Sequence, residues 1–174
     1  MFDAFCYFPK TNVKGETQDK DYGPNGKKAF EIISFEIGAE NNINIGSISA
    51  GGGAGKATFK ELTIAKKTDT SSTELFRKLV SGEHFQDMVI ELRRSGGTAK
   101  GSGLVFLKFE FKLVMLQDIS WSGSDGDDIC EETLVIQYGA MKVSYTQQTK
   151  TGGAGDKTDA EWSRVLNQAN FAVE

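Results

Sequence analysis

Residues 104–116 read LVFLKFEFKLVML, and their periodicity decides the fold class. Apolar side chains recur at every second position, Leu107, Phe109, Phe111, Leu113 and Met115, with Lys108, Glu110 and Lys112 between them. A period of two lines up one face of an extended strand, whereas a helix would scatter the same residues around its circumference. At both ends the stretch is apolar on both faces, which predicts burial from two sides there.

Working outward, the same period recurs. In FEIISFEIG (30–38), Ile33, Phe35 and Ile37 form a core face, with Ile32, Ser34 and Glu36 opposite. In DMVIELRRS (87–95), Met88, Ile90 and Leu92 oppose Val89, Glu91 and Arg93. These second faces are mixed rather than wholly charged, as a contact surface requires. ETLVIQY (132–138) and MKVSYTQ (141–147) read as strands joined by Gly139-Ala140, a pair suited to a type II′ hairpin. Phe59 is followed by Leu62 and Ile64, a phase slip that predicts a bulge at Lys60-Glu61.

One segment reads as helix. SSTELFRKLVSG (71–82) has Ser71 and Glu74 at capping-box spacing, an apolar stripe of Leu75, Phe76, Leu79 and Val80, and Gly82 as its stop. The expected fold is mainly β: a single antiparallel barrel of two packed sheets with one short flanking helix around residues 72–81. It occupies residues 1–148. Residues 149–174 form a Gly-rich linker and a C-terminal tail, which Trp162, Val165 and Leu166 anchor as a short helix or a strand.

Composition narrows the function. The chain has 174 residues, a net charge of −4, and 20 glycines against two prolines. One domain is expected, and the scattered basic residues argue against nucleic acid. No apolar run is long enough to insert in a bilayer, and the N-terminus lacks the pattern of a secretory signal. The expected location is therefore cytoplasmic at first. Two cysteines, Cys6 and Cys130, and a lone His84 make neither a zinc set nor an expected disulfide.

GGGAGKAT (51–58) invites a phosphate-loop reading, but Ala50 and Ala57 stand where that motif needs glycine and a hydroxyl, and Lys56 leads into a strand. The carboxylates of SGSDGDDICEE (122–132) miss the register of a calcium loop, because Ile129 and Cys130 fall on required positions. His84, between Glu83 and Asp87, has no nucleophile motif to serve. The expectation is no enzyme, no metal and no cofactor.

Taken in order, these segments resemble the Hcp family, the tube protein of type VI secretion systems. The matching residues lie in VKGETQDK (Val13, Gly15, Glu16), in the strand ending at Gly38, and in GGGAGKATFKELTIAKKTD (Gly55, Lys56, Leu62, Lys66, Asp69). They continue through LFRKLVSGEHF (Leu75, Gly82, His84), ELRRSGG (Arg94, Gly96, Gly97), the long strand, and ETLVIQYGAMKVSYTQQ (Glu132, Leu134, Tyr138, Tyr145, Gln148). Ser72-Thr73 stands where members often have Ser-Pro, and the tail matches only loosely.

The resemblance implies a barrel that joins five others in a homohexameric ring, with rings stacked into a tube that is exported without a signal peptide and carries effector proteins. Sheath, spike and baseplate proteins are the implied partners. Within that picture, Ile45, Gly46, Ser47, Ile48, Ser49, Gly51, Gly53 and Gly55 are assigned to a subunit and ring-stacking loop, because Ile45 and Ile48 lack a core of their own. Ser34 and Glu36 are assigned to the lumen. The alternative is a stand-alone ligand-binding β-barrel.

Overall fold

The computed structural model describes residues 2–43, 54–94 and 103–174. Among these residues, ten strands and one helix follow in the order β1 (Phe2–Tyr7), β2 (Phe30–Glu31), β3 (Ser34–Glu36), β4 (Ala39–Ile43), β5 (Ala54–Phe59), β6 (Leu62–Lys67), α1 (Thr70–Ser81), β7 (Phe85–Arg94), β8 (Val105–Ser122), β9 (Glu131–Gln148) and β10 (Ala154–Ser163). All pairings are antiparallel, in the order β2-β1-β7-β8-β9-β6-β3, with β10 beside the second half of β9; β4 and β5 form a separate two-stranded ribbon. The two ends of the large sheet are neighbours in the chain. Ile32 N–H donates to the Ala4 carbonyl at 2.9 Å and Ile33 N–H to the Ala65 carbonyl at 2.8 Å, so the barrel is bridged by the chain stepping across rather than by a strand ladder.

That step corrects the expected face of residues 30–38. Ile32 is buried and Ile33 is exposed, because the chain changes partner between β2 and β3 and its phase changes with it. Phe35 still packs on the core.

Strands β8 and β9 run 18 residues each, and the alternation reverses partway along them. Phe85, Val114 and Tyr138 form one inward row across three strands; Met88, Phe111 and Met141 form the next. Within each strand these rows are three residues apart, not two. Leu113 lies at φ 52° between them, a left-handed backbone that turns the side chains over. Opposite it is Gly139, where an added Cβ would come within 3.0 Å of the Leu113 side chain. Val114 and Leu116 thus replace Leu113 and Met115 in the core, and Met115 is exposed. Gly139-Ala140 lies inside one continuous strand rather than at a hairpin, since its small residues relieve crowding at this line.

Two further expectations change. Lys60-Glu61 does not bulge out of one strand: it is the step between β5 of the ribbon and β6 of the barrel, with Lys60 N–H bonded to the Gly38 carbonyl at 2.8 Å. The helix starts two residues earlier than its Ser71/Glu74 signature suggests. Asp69 is its N-cap, receiving the Ser71 N–H, and Ser72 completes the capping box. Gly82 ends it in the left-handed conformation at φ 70°. Leu75 is fully buried, whereas Phe76 and Val80 are exposed. Residues 154–163 of the tail form strand β10.

Candidate functional site

Two buried polar clusters fix the barrel wall. Lys66, on β6, is fully enclosed; its ammonium donates to Glu132 Oε1 at 2.9 Å, Asp69 Oδ1 at 2.8 Å, the Lys67 carbonyl and Ser72 Oγ, and lies over the Phe30 ring. Glu132 also accepts from Ser72 Oγ and from Trp121 Nε1 at 2.8 Å. The cluster ties the helix N-terminus to β6, β8 and β9. Every charge in it has a partner, which is the condition for tolerating such a pair in the interior.

The second cluster roofs β7. Residues 13–29 form a strap that crosses the outer face of β1 and β7, with Tyr22 stacked on Phe5 at 4.0 Å. Glu91 accepts from Tyr22 OH at 2.7 Å, from Tyr7 OH at 3.1 Å and from Lys27. Burial pushes the Glu91 carboxyl up, but the hydrogen bonds from Lys27 and Tyr22 outweigh it and hold it below the usual range. Burial and the neighbouring Glu91 push both phenols up. Arg93 pairs with Asp19, whose carboxyl that hydrogen bond holds low. Val89, Glu91 and Arg93 are consequently all buried. The expectation that their face is an open contact surface fails, because the strap occupies it.

The open surfaces lie elsewhere. Ser34 and Glu36 on β3 are exposed, and among the described residues β3 pairs only with β6. The β4–β5 ribbon leaves the barrel with all five residues of β4 exposed. Gly55 and Lys56 lie on β5, both exposed, so Lys56 sits in a strand and not at a helix N-terminus. Ile45, Gly46, Ser47, Ile48, Ser49, Gly51 and Gly53 lie outside the described residues.

Chemically reactive groups stay apart. Among the described residues no three His, Cys, Asp or Glu side chains gather for a metal ion. His84 is exposed just beyond the helix. Cys6 is buried and Cys130 exposed, both free, and burial drives the Cys6 thiol up. The barrel interior is filled by Leu62, Ile64, Met88, Ile90, Phe111, Leu134 and Ile136.

Among the described residues the molecule is thus a solid-cored β-barrel that carries a two-stranded ribbon with one strand wholly exposed. The chain belongs to the Hcp family of type VI secretion: the family model described as "Type VI secretion system effector, Hcp" matches residues 7–145. Over 157 residues it is 28% identical to Protein hcp1 of Pseudomonas aeruginosa, covering 90% of this chain and 91% of that one. Its fold is similar to a solved type six secretion system protein, with TM-score 0.85, 28% identity and 97% and 99% of the two chains covered. It is similar in fold to Hcp1 from Salmonella typhimurium, with TM-score 0.71, 23% identity and 96% and 97% covered.

Lys66, Asp69 and Glu132 carried a sequence signal as part of the family pattern, but nothing local marked them as buried. Tyr22 and Glu91 are 69 residues apart, and no periodicity links them.

Proposed function

We propose that this chain is the structural subunit of a homohexameric ring that stacks into the inner tube of a type VI secretion apparatus, is itself exported, and carries effector proteins in its lumen. The β4–β5 ribbon carries the reading. A two-stranded ribbon on its own is marginal in water, and this one has an exposed strand that gains cover when another copy packs against it. Family membership supplies the machine; sheath, spike and baseplate proteins are its partners. The subunit acts by shape, without catalysis.

Within the subunit, residues 1–148 are the body and 149–174 the tail, which returns to the body through β10. The loop bearing Ile45 and Ile48 joins subunits or rings, and Ser34 and Glu36 face the lumen.

Sedimentation of the purified chain tests the whole. A species of about six subunits that appears as a ring in negative-stain images supports it; a monomer that binds a small molecule favours the ligand-binding barrel. Removing residues 46–54 is expected to leave a folded barrel that stacks poorly, and normal tubes from that variant would refute the loop's role.

A further inference from the structure

Between the base of the ribbon and the end of β10 lies an open cleft of about 570 Å3. Phe59, Met115, Trp162 and Val165 line it, with Met115 43% and Val165 52% exposed. Lys56 and Arg164 add positive charge. Arg164 donates to the Gln137 side chain and the Tyr138 carbonyl, both neutral. Among the described residues neither cation is paired with a carboxylate.

The tip joining β8 to β9 is the converse surface. Residues 123–130 are exposed throughout, and Ile129, 51% exposed, stands beside Asp125, Asp127 and Asp128. None of these carboxylates pairs with a cation among the described residues. An apolar cleft with uncompensated positive charge thus matches an apolar residue flanked by uncompensated negative charge. Within one molecule they cannot meet. From Met115, β8 continues to Ser122 at ~3.4 Å per residue, which puts the tip roughly 24 Å beyond the cleft.

We propose that the β8–β9 tip of one copy docks in the cleft of a second copy, Ile129 against Met115 and Val165, with the tip carboxylates facing Lys56 and Arg164. Each copy then offers one tip and one cleft, so the contact is head-to-tail and passes from copy to copy. This rests on the reading that copies assemble, and names one contact that holds them.

Cys130 makes the test direct, since it lies in the tip and is exposed while Cys6 is buried. Val165→Cys in the full chain, treated with a short bis-maleimide, is expected to give a ladder of dimers, trimers and higher species on a denaturing gel. The wild type and the Val165→Cys/Cys130→Ser variant are expected to give none. Replacing Asp127 and Asp128 with Lys on the Val165→Cys background should cut the ladder at least tenfold, and adding Lys56→Glu should restore it. Sedimentation of the same samples separates the failures. Ring-sized particles without a ladder, or a ladder that persists without Cys130, overturn the tip-to-cleft contact and leave the ring reading standing; a monomer overturns both.

Discussion

Read from the sequence, the faces Val89-Glu91-Arg93 and Ile32-Ser34-Glu36 are of the same kind, polar and apolar residues mixed, and on β7 and β3 they meet opposite fates. On β7, Val89, Glu91 and Arg93 are buried beneath the strap; on β3, Ser34 and Glu36 remain exposed. The difference lies in what the chain lays across them. Tyr22, Lys27 and Asp19 arrive from residues 13–29 to satisfy Glu91 and Arg93, and no such segment crosses β3 among the described residues. A mixed face is therefore ambiguous until its partner is known, and only the uncovered one is available for assembly.

The comparison can be broken most forcefully at Tyr22. Tyr22→Ala removes a buried ring stacked on Phe5 and is expected to cost about 3–5 kcal/mol, read from the urea midpoint. The strap should then become an early site of limited proteolysis. If stability were unchanged, the strap would be an ornament and β7 effectively open.

Glu91→Gln is expected to cost about 1.5–3 kcal/mol at neutral pH, because it removes the charge that Lys27 and two phenols address. Its pH dependence sharpens the point. Glu91 and Asp19 both titrate below their ordinary values in the folded state, so the unfolded chain takes up their protons first as pH falls. Their stabilisation is full above the ordinary glutamate value of 4.5 and is lost as pH drops below it. Urea midpoints at pH 7 and pH 3.5 should therefore differ less in Glu91→Gln than in the wild type.

Tyr22→Phe keeps the stacked ring and removes one hydrogen bond, for an expected loss of about 1 kcal/mol or slightly more. Smallest is Glu36→Lys on the open face. Its effect on the urea midpoint should stay within about 0.5 kcal/mol, while the set of proteins retained by assembled tubes changes. A Glu36 variant that unfolds would place β3 among the covered strands, and an unchanged cargo set would refute its proposed assignment to a lumen.

Much of the fold was legible in the chain because strand periodicity and helix punctuation are local. The alternation in residues 87–92 and 107–111, the stop at Gly82 and the ordered family pattern all needed only neighbours along the sequence. Local reading failed at KLVML, where four apolar residues in succession satisfy either phase. It failed again at Gly139, where a glycine that admits a crowded Leu113 looks the same as one that makes a turn. The loop assigned to ring stacking was named from the family resemblance and from Ile45 and Ile48, and seven of its eight named residues lie outside the described part of the structure.

By itself, then, the sequence determined that this is a β-rich Hcp-family chain with one capped helix, because periodicity, turn chemistry and motif order are written in adjacent residues. The tertiary structure alone decided which faces are closed. Glu91 meets Tyr22 and Lys66 meets Glu132 across 69 and 66 positions, and a charge is buried or left in water according to partners that only folding brings within hydrogen-bond reach.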